Sequence, residues 1–313
     1  MTRSYLLGKT LITGAGGMLG TALTELLERE AGAQIFGLTR TQVDLRNFQD
    51  TLAVFKACKP VTLFHLAARV AGVGGNVADP YGMFYENVSI NTNVIEAARR
   101  TDVRRIVAVG TSAIYSDEVS LPMREEHLWN GAPHRSEAPY GHAKRAMLVH
   151  LEACQAQYGI DFSYAILTNA YGPNDRFNAQ RGHVIPSLLV KIAIATRKGS
   201  DLEVWGTGRP TRDFIFSEDV ARALVILGYQ PSGPVNVATG QEITIRELVD
   251  LMVEVTEFRG KILWNPTKPD GQMNRRYDVT RLKGIGFKPE YTISAGLRKT
   301  YRWLQQNLDL ARR

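Results

Sequence analysis

The 313-residue chain is short of cysteine, of long apolar runs and of blocks of like charge. Each shortage excludes a class of protein. Two cysteines, Cys58 and Cys154, cannot staple a small secreted scaffold and show no metal-ligand spacing. Both read as buried thiols of a cytoplasmic protein, and no other residue spacing makes a case for a metal. No apolar run approaches the roughly 18 residues of a membrane span. The longest, from Val184 to Ala195, is broken by Pro186 and Lys191. The first residues show no cleavage segment of a secretory leader and run into a glycine loop. Internal repeats and low-complexity tracts are missing too. With 44% hydrophobic and 22% charged residues, the composition rules out a disordered or collagenous chain.

The net charge of +7 is uneven. From Arg259 to Arg313 there are 13 Lys and Arg against 4 Asp and Glu. These cations alternate with Pro, Gly and apolar residues and form no Lys/Arg block, which argues against nucleic acid as a partner. Two readings stay open: a solvated basic face, or a pocket for a phosphate-bearing small molecule.

Short apolar runs alternate with amphipathic stretches through the first half. Strands are expected from Thr10 to Thr13, Gln34 to Leu38, Val61 to Leu66, Arg105 to Val109 and Asp161 to Leu167. Helices are expected from Met18 to Glu30, Thr51 to Cys58, Asn87 to Arg100 and Ala138 to Tyr158. Such alternation predicts an α/β fold with a parallel, doubly wound sheet. Beyond Gly172 a Gly/Pro/Asn/Arg-rich loop changes the texture. A helix from Ile185 to Arg197 and a strand from Leu202 to Trp205 follow, then Phe214-Ile215-Phe216 and a helix returning to the first domain. The expected division assigns residues 1–172 plus about 210–235 to a dinucleotide-binding domain of Rossmann type. Residues of about 173–209 plus 236–313 form a smaller C-terminal α/β lobe for substrate.

Gly14-Ala15-Gly16-Gly17-Met18-Leu19-Gly20 follows a strand and opens a helix. Glycines there let the backbone approach a pyrophosphate, which the helix N-terminus stabilises. Gly14, Gly17, Met18, Leu19 and Gly20 are the candidate contacts. An NAD site carries an acid at the end of the second strand for the ribose 2′-hydroxyl. This strand ends Leu38-Thr39-Arg40-Thr41, and Arg40 suits the 2′-phosphate of NADP(H) instead. Asp44-Leu45 lies where an acidic residue meets adenine. Tyr140 and Lys144 stand at i and i+4, on one face of a helix. There the ammonium can lower the phenol pKa, and a phenol so tuned can protonate a carbonyl oxygen. A hydroxyl at Thr111, at the end of a parallel strand, can bond the same oxygen.

These residues resemble the extended short-chain dehydrogenase/reductase family. Asn169-Ala170-Tyr171-Gly172-Pro173, His183-Val184-Ile185-Pro186, Val204-Trp205-Gly206-Thr207-Gly208 and Arg212-Asp213-Phe214 resemble its GDP-L-fucose synthase branch. So do Lys268-Pro269-Asp270-Gly271 and Asp278-Val279-Thr280-Arg281-Leu282. The resemblance runs from Gly14 to about Tyr301. It implies a cytoplasmic homodimer that uses NADPH on a nucleotide-linked 4-keto-6-deoxy sugar, with epimerisation beside the ketone before its reduction. It implies Thr111, Tyr140, Lys144 and His183 as catalytic residues, and it adds Ala67 and Ala68, after the third strand, at the cofactor. Asn169, His183, Val184, Lys191, Trp205, Arg212 and Asp270 are implied at the substrate. Read without the resemblance, His183 has a surface or capping histidine as its alternative, and Trp205 is equally a core residue.

In that family a cysteine and a histidine share the proton exchange. The histidine matches His183. The family's Gly-Ser-Ser-Cys-Ile-Tyr-Pro segment is Gly110-Thr111-Ser112-Ala113-Ile114-Tyr115-Ser116 here, so Ala113 stands where the cysteine would be, and alanine carries no proton. The family's arginine in the glycine loop is Gly16, which leaves Arg40 as the NADP-selective cation. Three functions follow for comparison: a 4-ketoreductase without double epimerisation, a full epimerase/reductase, and a non-catalytic NADP-binding sensor. The intact Tyr140/Lys144 pair argues against the sensor, and Ala113 favours the first.

Overall fold

The computed structural model describes residues 8–29, 34–179, 182–268 and 270–308. Its first half contains β1 (Thr10–Thr13), α1 (Met18–Arg29), β2 (Ile35–Leu38), α2 (Phe48–Cys58), β3 (Thr62–His65), α3 (Val73–Ala78), α4 (Pro80–Arg99), β4 (Arg105–Thr111), α5 (Ala138–Tyr158) and β5 (Asp161–Leu167). The second half adds β6 (Asn169–Tyr171), α6 (Val184–Lys198), β7 (Leu202–Trp205), β8 (Thr211–Arg212), β9 (Phe214–Phe216), α7 (Ser217–Tyr229) and β10 (Gly233–Val237). It ends with β11 (Ile243–Thr244), α8 (Ile245–Thr256), β12 (Ile262–Asn265), α9 (Thr280–Gly284) and α10 (Ile293–Gln306).

Six strands pair in parallel in the order β10-β5-β4-β3-β1-β2. This is the doubly wound, Rossmann-type sheet that the alternation predicts. Strand side chains alternate between faces. Leu11 joins Phe55, Ile95 and Leu148 on the side of α2, α4 and α5. Its neighbour Ile12 joins Leu23, Val220 and Leu224 under α1 and α7. Because both faces are covered, β4 and β5 are buried and mainly apolar through their centres, from Ile106 to Val109 and from Tyr164 to Leu167. The strand order reverses between β1 and β3. The loops leaving those two strands part there and open a crevice at their C-terminal ends.

Two helix starts differ from the sequence expectation by more than one residue. α2 begins three residues early, since Asn47 caps it by accepting from the Gln49 and Asp50 amides. α4 begins at Pro80 rather than Asn87, with Asp79 as its cap and proline in the first turn. The aromatic residues Tyr81, Phe84 and Tyr85 hid that start, because they are exposed and break the amphipathic period. Cys154 is buried, but Cys58 is only half-buried at the end of α2, so the expectation of two buried thiols holds for one.

The second lobe packs α6, α8 and α10 around Leu189, Ile192, Leu248, Met252 and Leu297. β7 and β12 form a parallel pair there, and β6 and β9 form another beneath α10. The chain does not stay in this lobe to its end. Tyr277 and Val279 enter the core on one face of the main sheet, and Leu282 and Phe287 that on the other. The reason lies in Asn236 of β10. Its side-chain amide donates to Met123 O and Asp278 O, both at 3.0 Å, and draws the returning segment onto the sheet.

Candidate active site

The glycine loop is built by close approach. Gly14 has a left-handed φ of +74°, and a Cβ there would stand 2.9 Å from the Ala67 amide nitrogen. A Cβ on Gly20 would stand 2.2 Å from Gly14 O, so α1 can start against the loop only as glycine. Gly14 N and Ala15 N both donate to Leu38 O. Gly16 and Gly17 lie exposed at the mouth of the crevice, and Met18 and Leu19 open α1. Ala67 and Ala68 follow the end of β3, where the Ala67 backbone abuts Gly14 and its amide donates to Thr13 Oγ1 at 3.3 Å.

Arg40 is exposed just beyond β2. The nearby acid does not compete with it. Asp44 is held by Arg46 through side-chain contacts of 2.7 to 3.1 Å. The Arg46 hydrogen bonds lower the Asp44 carboxyl to about 2. Leu45 beside it is buried. The residues therefore fit a 2′-phosphorylated dinucleotide: a cation stands at the strand end and no free carboxylate opposes it.

Tyr140 lies in the first turn of α5 and Lys144 one turn on, both buried. The Lys144 ammonium donates to Val109 O of β4 at 2.8 Å. Burial governs both groups. It raises the Tyr140 phenol, helped by the Glu137 charge, and it lowers Lys144 to about 7. In this structure burial, and not the neighbouring ammonium, sets the direction of the phenol's shift. Thr111 ends β4, and its hydroxyl accepts the Ala113 amide at 3.2 Å. That leaves the hydroxyl proton available to donate towards a substrate oxygen. Ala113 is buried in a small cluster with Tyr140 and Met83. The position where the resemblance places a thiol is therefore a methyl group packed beside the phenol.

Beneath these residues lies a network that the sequence did not reveal. His65, fully buried on β3, bonds Thr13 Oγ1 through Nδ1 at 2.8 Å and Asn91 Oδ1 through Nε2 at 3.1 Å. Burial, reinforced by the Lys144 charge, lowers it to about 3. Asn91 donates onward to Ala143 O in α5. One polar chain thereby links β1, β3, α4 and the helix that carries Tyr140.

The second lobe presents the remaining candidates. His183 is exposed at the start of α6, followed by Val184 in the first turn. Trp205 is 54% exposed, which removes the core reading. The ammonium groups of Lys191 and Lys268 both lie over its ring, 5.2 Å and 5.4 Å from the centroid. Arg212 is half-buried on β8 and donates to Thr211 O, with Arg275, Tyr277 and Glu137 as its charged and phenolic neighbours. Asn169 donates to Asp213 O at 3.0 Å. Asp270 gives both oxygens to Thr207, at 2.6 Å from its amide and 2.7 Å from its hydroxyl. It shapes the turn after Trp205. Two side chains tie the lobe to the sheet across the cleft: Arg176 Nη1 donates to Val70 O at 3.4 Å, and Arg275 lies 3.8 Å from Glu137.

Residues 10–238 match the model of the NAD dependent epimerase/dehydratase family. The chain is 33% identical to GDP-L-fucose synthase of Escherichia coli, over 96% of this chain and 98% of that one. Its structure is similar to an NADP-bound GDP-L-fucose synthetase of Naegleria fowleri, with TM-score 0.88, 26% identity and coverage of 98% and 96%. It is also similar to an NADP-bound GDP-mannoheptose C4 reductase of Campylobacter jejuni, with TM-score 0.86, 27% identity and coverage of 96% and 99%. With nearly three quarters of its length matched and the glycine crevice and Tyr140/Lys144 pair in place, the chain belongs to the NAD dependent epimerase/dehydratase family, the extended short-chain dehydrogenases/reductases.

Proposed function

We propose that the protein is an NADPH-dependent enzyme of GDP-linked sugars that reduces a 4-keto-6-deoxy sugar at C4 without the full inversion at C3 and C5. NADP(H) is the cofactor, held by the Gly14–Gly20 loop, Arg40 and the Ala67-Ala68 segment; when bound it supplies the hydride. Tyr140 delivers the proton to the C4 oxygen. Thr111 donates to the same oxygen and fixes its position. Lys144, anchored on Val109 O, holds the phenol's surroundings in place. On the substrate side, Arg212 and the Lys191 and Lys268 ammonium groups beside Trp205 offer charge to a diphosphate. Asn169, His183, Val184 and the Asp270-supported turn border the sugar. The division of labour between a sheet domain for cofactor and a smaller lobe for substrate is part of this reading. So is a homodimer formed through the exposed aromatic residues of α4. The free thiols fit a reducing cytoplasm. Among the described residues no helix is long and apolar enough to cross a membrane.

The observation that carries the reading is the Ala113 methyl packed against Tyr140. Inversion at two carbons needs proton carriers on each relevant face, and here His183 is the one obvious carrier. The test is turnover of GDP-linked 4-keto-6-deoxy sugars in D₂O, with the product examined by NMR. Reduction at C4 with no ring deuterium is expected. Deuterium at both C3 and C5 with inverted configuration would replace this reading by a full epimerase/reductase. Deuterium at one carbon that vanishes in His183→Ala would make the enzyme a one-centre epimerase/reductase.

A further inference from the structure

A shielded carboxylate stands eight residues before His183. Asp175 lies in the loop between β6 and α6, and its Oδ2 is buried without a hydrogen-bond partner, alone among the carboxylates of the described residues. Its Oδ1 accepts the Arg176 amide at 2.6 Å. A buried polar atom left unpaired destabilises the fold, so a donor that reaches Oδ2 is strongly favoured.

The loop folds back on itself between Asp175 and His183. Gly182 N donates to Asn178 O at 3.0 Å. A Cβ on Gly182 would stand 2.9 Å from Arg176 O and 2.6 Å from Asn178 O. The chain at 176–178 and at 182 therefore lies backbone against backbone, and Asp175 and His183 are the outer neighbours of that contact. The crossing is fastened on both sides. Phe177 is buried and stacks on Trp303 at 5.4 Å, and Ser187 Oγ donates to Ala179 O at 2.9 Å. Arg176, the nearest cation in sequence, points its guanidinium away to Val70 O. The His183 ring makes no capping bond to α6. Burial raises the Asp175 carboxyl, and the foremost influence opposing it is the charge of His183.

We propose that Asp175 is the positioning residue of His183: its shielded Oδ2 accepts an imidazole N–H, fixing the tautomer and turning the other ring nitrogen towards the sugar. A neutral imidazole has one donor and one acceptor nitrogen, so a carboxylate on one side defines the role of the other. The inference rests on the proposed function for what His183 then does, but the pairing can be tested without turnover. Protein labelled with ¹⁵N-histidine and saturated with NADP reports ring tautomers in long-range ¹H–¹⁵N spectra, with His183 assigned through His183→Gln. One fixed tautomer is expected in the wild type, and its loss in Asp175→Leu, which has similar size and no acceptor. Averaged tautomers in the wild type overturn the proposal even if the variant fails to fold. A fixed tautomer that survives Asp175→Leu overturns it too. Unchanged turnover in His183→Gln dismisses the role given to His183 and leaves the pairing to be decided by the spectra.

Discussion

Lys144 and His65 are cation-forming side chains in the same dry interior, and burial pushes both towards their neutral forms. His65 falls to about 3 in the fold from 6.5. Between those values the unfolded chain binds a proton that the folded chain does not. Stability therefore rises with pH across that window and is lost as pH falls from about 6.5 towards 3. His65→Gln should flatten this acid dependence while costing about 1–3 kcal/mol at pH 7, because Thr13 and Asn91 lose a partner. Denaturant midpoints between pH 7.5 and 4.5 provide the check, and parallel slopes for the two proteins would contradict it. Tyr140→Phe keeps the packing against Ala113 and Met83 and removes only the acid. It should bind NADPH as the wild type does, with kcat lower by roughly 10²–10⁴. Arg40→Ala should raise KM for NADPH far more than for NADH. Equal KM values for the two cofactors in the wild type would defeat the assignment of the 2′-phosphate to Arg40.

At the scale of elements, α5 joins the glycine crevice to the chemistry, and its seat is tight. A Cβ on Gly141 would stand 2.7 Å from Ala113 O and 2.9 Å from Pro133 Cβ. Gly141→Ala must therefore lift the first turn of α5 off the Thr111–Ala113 corner, at a cost of about 1–3 kcal/mol for overpacking. A displacement of about 1 Å at Tyr140 is worth roughly 10²-fold in rate. The expected variant is folded, binds NADP and turns over poorly; full activity would show that the corner yields. The sequence announced α5 and β5 to the residue, since Pro139 and Gly159 bound the helix and β5 is buried from Phe162 to Leu167 with Ser163 as the one small polar residue of that stretch. The Tyr140/Lys144 pair and the glycine loop were legible because each is local, at i and i+4 or within seven residues. His65 was not legible, because its partners Thr13 and Asn91 lie 52 and 26 residues away. Asp270 on Thr207, 63 residues apart, escaped for the same reason. Asp175 is closer in sequence to His183, but its meaning lies in a shielded oxygen that no spacing announces.

At the scale of the whole molecule, an apolar surface lies apart from the residues assigned to the chemistry. On the outer side of α4, Tyr81 is 76% exposed and stacks on Tyr85 at 5.7 Å. With Phe84, Pro139, His142 and Ala146, Tyr81 borders a shallow depression of about 720 Å³ between α4 and α5. Aromatic residues clustered in the open favour burial against a partner. Two such helix pairs laid face to face would form a self-complementary, two-fold contact, the commonest closed symmetry of soluble oligomers. The wild type should run in light scattering at about twice the 34.8 kDa chain mass. Tyr81→Glu with Phe84→Glu should give a monomer, because two carboxylates facing their symmetry copies repel and lose water together. Tyr140 and Lys144 occupy the inward face of α5, away from His142 and Ala146, so the monomer should still bind NADP with an affinity close to that of the wild type. A wild type that is monomeric at micromolar concentration, or a dimer indifferent to both substitutions, would place the subunit contact elsewhere.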